Sequence, residues 1–352
     1  MPDLPSLRFV FGSIPDQIVF EAGQARENVA REAARLNLSR VLLISSLRER
    51  GRAGEVAAGA PTVGHFTDVR QHVPIESAEA ARSYALKLGV DGLLSVGGGS
   101  TTGTAKAIAL TTGLPIIAVP TTYAGSEVTP VWGMTTAARK ETGTDSRVLP
   151  ASVVYDPRLL ADLPKEIAVA SALNAMAHCV EAYWAPRANP ILSLFASSGI
   201  EALSRGLSTL DSDKEPPQER LLFGALLAGL SFAGAGSGLH HKICHALGGA
   251  FDLPHAPLHA VILPHVLNFN AAAVPDVTAQ IGVALGTLDP IAGLRELYAR
   301  VGAPRTLKEI GLRKDQLDAA VEVVAARLPI DNPRPVTRGG IAEILGAAFG
   351  RD

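Results

Sequence analysis

Four histidines and one asparagine in the second half of the chain carry the strongest chemical signal. Asn174 and His178 stand four residues apart in an Ala/Leu-rich run, so they share one face of a helix. His241 and His245 repeat that spacing in a second run, with Lys242 between them, and His255 follows in the loop segment DLPHAP. Facing helices that carry imidazoles in this pattern build polar sites inside bundles, where ring nitrogens bind metals, hold carboxylates or move protons. A lone buried histidine is usually structural, but two i, i+4 pairs are harder to assign to packing alone. His259 and His265 read as helix-packing residues, and His240 as a neighbour without a role.

A second group of candidates lies in the first half. Residues Val96 to Lys106 read VGGGSTTGTAK, after a strand-like run and before a helix-like one. Gly97, Gly98 and Gly99 permit close backbone approach, and the helix N-terminus presents free N–H groups to a phosphate. Ser100, Thr101, Thr102 and Lys106 are the candidate side-chain donors there. The loop matches neither GxGxxG nor the Walker pattern. A similar loop, PTTYAGSEVT from Pro120 to Thr129, follows the next apolar run and offers Thr121, Thr122 and Ser126. Two small, hydroxyl-rich loops at one sheet edge predict a dinucleotide lying across a switch point.

The elements that must hold these residues differ between the two halves. Arg40–Ser45, Asp91–Val96, Pro115–Val119 and Ser152–Tyr155 are continuous apolar runs, and Ile75 to Leu88 has helical period between them. This alternation predicts a parallel sheet covered on both faces, a Rossmann-like α/β domain. Phe9–Phe11 and Gln17–Phe20 read as a hairpin-like start. Beyond Asp156 the chain turns Ala/Leu-rich, with Leu173, Met176, Ala177, Val180 and Trp184 at helical spacing. The expected boundary separates an α/β dinucleotide-binding domain, 1–160, from an all-α bundle, 161–352.

Composition supports this reading and narrows the function classes. The 352 residues are 47% hydrophobic and 19% charged, sufficient for two cores. With 32 basic against 34 acidic residues and no basic run, neither nucleic acid nor an anionic membrane is expected as a main partner. Two cysteines, Cys179 and Cys244, in apolar surroundings suit a reducing cytoplasmic compartment, and the N-terminus lacks the pattern of a secretory leader. Leu221 to Leu239 carries no charge and has the length of a bilayer span, but its Gly, Ala and Ser content and the histidines that follow predict a buried bundle helix.

The strings GGGSTTGTAKAI, PTTYAGSEVT, ALNAMAHCVEAY and HHKICHALGGAFDLPHAPLHAVILPHVLNFN resemble, in the same order, the iron-containing (group III) alcohol dehydrogenases. The resemblance implies a dehydroquinate synthase-like architecture, NADH or NADPH as the cofactor, and a homodimer. It places that family's metal ligands, one Asp and three His, on Asn174, His178, His241 and His255. A further family histidine near the reacting carbon falls on His245, and the nicotinamide-side Asp falls on Gly103. Both lost carboxylates, with NAMAHCVEA and the ending NPRPVTRGGI, resemble the branch that reduces maleylacetate.

Those departures suit the chemistry. Hydride addition to an alkene conjugated with a ketone gives an enolate whose spread charge hydrogen-bond donors can stabilise without a Lewis acid. The resemblance therefore implies no metal, a small dicarboxylate substrate, and His178, His241, His245 and Lys242 as donors or carboxylate partners. Tyr123, Asn174, His255, Arg334 and Arg338 are the further substrate candidates. Ser46 aligns where the related enzymes carry a ribose-binding Asp; with no carboxylate until Glu49 and with Arg48 and Arg50 close by, use of both cofactors is expected. A metal-dependent alcohol or glycerol dehydrogenase, a dehydroquinate synthase-like lyase and a non-catalytic binding protein remain the alternatives.

Overall fold

The computed structural model describes residues 9–12, 14–135, 140–210 and 217–350. Its first half alternates strands and helices: β1 (Gln17–Phe20), α1 (Ala25–Arg35), β2 (Val41–Ile44), α2 (Arg50–Ala57), β3 (Thr62–Phe66), α3 (Ile75–Leu88), β4 (Gly92–Gly97), α4 (Gly99–Thr112) and β5 (Ile116–Pro120). An antiparallel pair, β6 (Val131–Thr135) and β7 (Lys140–Thr144), precedes β8 (Ser152–Tyr155). Six strands form one parallel sheet in the order β1-β8-β5-β4-β2-β3.

Strand periodicity explains why both faces are covered. Val41 and Leu43 of β2 pack with α1 and α2 residues such as Val29 and Val56, while Leu42 and Ile44 face the opposite side with Ala81, Ala85 and Ile108. The chain leaves β2 for β3 on one side and then places β4 on the other. The order of winding therefore reverses between β2 and β4, and the loops that follow these two strands flank the crevice where such sheets bind ligands.

One expectation is corrected here. The start of the chain is not a hairpin: Phe9–Phe11 is outside any strand, and β1 pairs in parallel with β8. The pairing register, Gln17 to Ser152 and Phe20 to Tyr155, spans most of the first half of the chain. Short sequence separation suggested a tight antiparallel turn, but β1 finds its partner at the sheet edge.

After β8 the fold is helical: α5 (Lys165–Ala182), α6 (Pro190–Ser208), α7 (Gln218–Ala235), α8 (Leu239–Phe251), α9 (His255–Ala271), α10 (Pro275–Leu285), α11 (Pro290–Val301), α12 (Leu317–Ala325) and α13 (Arg338–Phe349). The uncharged run Leu221 to Leu239 lies across two elements. Its larger part is α7, buried against α5 and α6, and the chain then turns by 98° into α8. Apolar residues of β8, α5, α6 and α7 continue the core of the sheet, whereas α8, α12 and α13 enclose a second core. Helix α9 serves both, giving Ala260, Leu263 and Leu267 to the first and Val261, Ile262 and Val266 to the second.

The loop after β5 is joined to the bundle through a glycine contact. Gly125 has φ +73°, and a Cβ on it would meet the carbonyl oxygen of Ala225 at 2.9 Å. Across the contact, a Cβ on Gly229 of α7 would overlap the Gly125 carbonyl. Replacing Gly229 by Ala should therefore cost about 1–3 kcal/mol, because backbone rather than a flexible side chain must give way. Gly249 of α8 has nothing within 4 Å of its would-be Cβ, so Gly249→Ala should be neutral or stabilising. Thermal unfolding of the two variants checks both signs.

Candidate active site

The nucleotide edge is built from the loops after β2, β4 and β5. Gly98 begins α4 without a side-chain cap, and Gly98, Gly99, Ser100 and Gly103 are the accessible residues of the stretch Val96 to Lys106. A Cβ on Gly98 would lie 3.0 Å from Cγ2 of Thr122, so the two loops touch. A Cβ on Gly99 would point to Oγ of Ser126 at 3.9 Å, and that hydroxyl is buried with no partner in the protein. An uncapped helix N-terminus facing an unpaired hydroxyl suits a phosphate.

Three other predicted contacts sit below this edge. Thr101 and Thr102 are buried, and Thr101 folds back against Gly97. Lys106 is not a phosphate ligand. Its ammonium donates to the carbonyls of Ser126, Thr129 and Val131 at 2.7–2.8 Å and to Oγ1 of Thr129 at 3.1 Å. The residue is 2% exposed; burial draws its pKa down to about 7 against the pull of Glu127. Lys106 thus shapes the second loop from beneath. Glu127, itself buried, accepts a hydrogen bond from the hydroxyl of Tyr155 at 2.7 Å.

Ser46 and Thr121 meet a carboxylate that the sequence reading placed too far along the chain. Glu49 follows β2 in a Ser-x-x-Glu turn and folds back over the sheet edge. Its Oε2 accepts from Oγ of Ser46 at 3.0 Å and its Oε1 from Oγ1 of Thr121 at 2.5 Å. The capping-box spacing from Ser46 to Glu49 is the signal that could have found it.

In the bundle, α5 places Asn174, His178 and Glu181 along one face. The rings of His178 and His241 are 4.8 Å apart, those of His241 and His245 6.1 Å, and those of His245 and His255 6.1 Å. The helices thus bring together the four histidines singled out from the sequence. Phe232 of α7 walls the cluster, 4.6 Å from His178 and 4.9 Å from His241. His241 is buried, His178 and His255 are half-buried, and His245 is exposed, so the cluster runs from the interior to a mouth.

Two histidines were misread. His259 is central: its ring lies 4.9 Å from His241 and 4.5 Å from His255. His240 is its partner, with Nε2 2.9 Å from Nδ1 of His259. The missed signal was a third i, i+4 pair, His255 and His259. Burial, then neighbouring imidazoles, pushes His178 and His259 well below their usual range, and burial takes His240 down to about 3. These three rings are neutral at ordinary pH.

Glu181 fixes the geometry. Its carboxylate accepts Nδ1 of His241 at 2.5 Å and the backbone N–H groups of Gly238 at 2.8 Å and His240 at 2.6 Å. Burial alone would raise its pKa, but His241 and Gly238 hold it at about 2. With Nδ1 committed to Glu181, Nε2 of His241 is the free atom; it has no protein partner, nor do Oδ1 of Asn174 and Nδ1 of His178. A group of unpaired polar atoms inside a bundle is a reception site for a polar ligand.

The remaining candidates separate. Arg334 and Arg338 are engaged by carboxylates of this chain: Arg334 pairs with Glu343 at 3.0 Å over the ring of Phe269, and Arg338 pairs with Glu322 at 2.5 Å. Both pairs are solvent-exposed. Tyr123 is 1% exposed in the core, where burial raises its hydroxyl pKa. Lys242 is half-buried and lies off the face that His241 and His245 share.

A family model described as iron-containing alcohol dehydrogenase matches residues 15–157, and one described as the Fe-containing alcohol dehydrogenase family, C-terminal, matches residues 168–349. The chain belongs to the iron-containing alcohol dehydrogenase family. Within this family it is 43% identical to a maleylacetate reductase of Sphingobium indicum over 346 residues, 97% of each chain. A crystal structure of an iron-containing alcohol dehydrogenase from Corynebacterium glutamicum superposes with TM-score 0.94 at 45% identity, covering 98% of each chain. That of a maleylacetate reductase from Rhizobium sp. strain MTP-10005 gives 0.92 at 41% identity, covering 97% of this chain and 98% of the other.

In this chain the histidine site rests on one buried carboxylate, Glu181, outside the four positions aligned with the family's metal ligands. Glu181→Ala should cost roughly 3–5 kcal/mol, since it leaves buried N–H groups and an imidazole unpaired. Glu181→Gln keeps an acceptor and should lose less. Urea unfolding of both variants checks the order.

Proposed function

We propose that the protein reduces the carbon–carbon double bond of maleylacetate to 3-oxoadipate, using NADH or NADPH, without a bound metal. The observation that carries this reading is the full-length likeness to maleylacetate reductases, together with a histidine site that keeps its imidazoles but has an amide at Asn174. The nucleotide edge suits the cofactor, as argued from Gly98, Gly99 and the unpaired Ser126 hydroxyl. A reduced nicotinamide held at this edge would supply a hydride, and the bundle residues would then have to meet the negative charge left on the substrate's ketone oxygen.

The bundle residues would do the rest. The exposed ring of His245 would meet the enolate oxygen and return a proton to carbon, while Nε2 of His241, whose Nδ1–H is committed to Glu181, would accept a hydrogen bond from the substrate. The amide of Asn174 offers N–H donors to a dianionic substrate, where a carboxylate would repel it.

The donor set is a weaker one for a dication than the family's Asp and three His, because an amide oxygen and three imidazoles bring no negative charge. Among the described residues, the one group of three His, Cys, Asp or Glu ligand atoms within 4.8 Å of one another is His240, Cys244 and His259, which omits all three family histidine positions. Spread enolate charge can be met by hydrogen bonds alone.

Two measurements test the reading. Protein mixed with NADH and maleylacetate should consume the reduced cofactor, keep its rate in a chelator, and carry far less than one iron or zinc per chain. Stoichiometric metal with chelator-sensitive turnover would move the assignment to a metal-dependent alcohol dehydrogenase, and no net cofactor consumption to a lyase. His245→Ala should lower kcat by about 10²–10³ with little change in NADH affinity. A loss below about threefold would return His245 to a packing role.

A further inference from the structure

We infer that Glu49 sets the choice between the two nicotinamide cofactors, favouring NADH by occupying the place a 2′-phosphate would need. This rests on reading the sheet edge as the dinucleotide site. The argument begins with topology. Winding reverses between β2 and β4, so the ribose end of a dinucleotide bound across this crevice lies at the end of β2. Ser45 and Ser46 end that strand without a charge.

Glu49 supplies the charge from one turn further on. The hydroxyls of Ser46 and Thr121 hold its two oxygens, one from the loop after β2 and one from the loop after β5. Between them lies the end of β4: a Cβ on Gly97 would stand 3.0 Å from Oε2 of Glu49. The carboxylate therefore spans three strand ends at the switch point. Glu49 is half-buried, with accessible surface left for a ligand.

The chemistry separates the two cofactors. Each carboxylate oxygen has a second lone pair, so Glu49 can accept hydrogen bonds from the ribose hydroxyls of NADH while keeping Ser46 and Thr121. A 2′-phosphate has no proton to donate there at neutral pH and brings like charge against a fixed anion. Arg48 and Arg50 are exposed, where solvent screens their attraction for a phosphate. Ser46, read from the sequence as a direct ribose ligand compatible with both cofactors, instead serves to hold Glu49.

The test is fluorescence titration of the full chain with NADH and with NADPH, alongside kcat/KM for each. The wild type should bind NADH at least about tenfold more tightly than NADPH. Glu49→Gln, which keeps the shape and loses the charge, should bring the two dissociation constants to within about threefold, mainly by tightening NADPH. Glu49→Asp, which keeps the charge, should retain the preference for NADH. If NADH binds and Glu49→Gln leaves the ratio unchanged, or if the wild type binds both equally, the inference about Glu49 fails while the cofactor reading stands. If neither dinucleotide binds the wild type, both fail.

Discussion

A single buried carboxylate organises the bundle half of the molecule. Glu181 projects from α5 into the break between α7 and α8, where Gly238 has no side chain to obstruct it. There it meets the first N–H groups of α8 and the ring of His241. An anion at a helix N-terminus is favoured by the helix dipole and by otherwise unpaired donors. The 98° turn after α7 would leave those donors buried and unpaired without it. The direction of α8, the orientation of His241 and the distance from α8 to α5 all follow from this contact.

The nucleotide half has an equivalent in Lys106, with opposite charge. Its ammonium gathers three carbonyls from the segment after β5, tying the short helical turn Ser126–Val128 to the start of β6. Both halves thus use a buried ion to hold irregular backbone beside the place where ligand is expected. Each ion is satisfied by backbone groups, which makes it tolerable in the interior.

Much of the fold was legible in the sequence because its signals are local and periodic. Ile75–Leu88 is a helix over the span its apolar spacing indicates, and Ser152–Tyr155 is a strand as read. The parallel sheet and helical bundle are shared with the family's solved structures. Strand β3 escaped notice because TVGHF holds a glycine and a histidine and lies half-exposed at the sheet edge. At the site, i, i+4 spacing identified His178, His241 and His245, since one helix face is a local property. The role of Lys106, the partners of Arg334 and Arg338, and the place of His259 depend on contacts between distant segments. Glu49 lay between these cases: its turn is local, but its partner Thr121 is 72 residues away.

The shared core between sheet and bundle has a consequence for how the chain can be divided. Val153 and Tyr155 of β8 pack in one continuous interior with Val169, Leu173 and Met176 of α5, and α9 carries that interior on toward the second core. A fragment cut near residue 160 would expose apolar surface on both pieces, so each half should be less stable alone than within the whole chain. Gene fusions, circular permutants and split reporters built on this scaffold belong at its surface turns, away from the junction where the two textures of sequence meet.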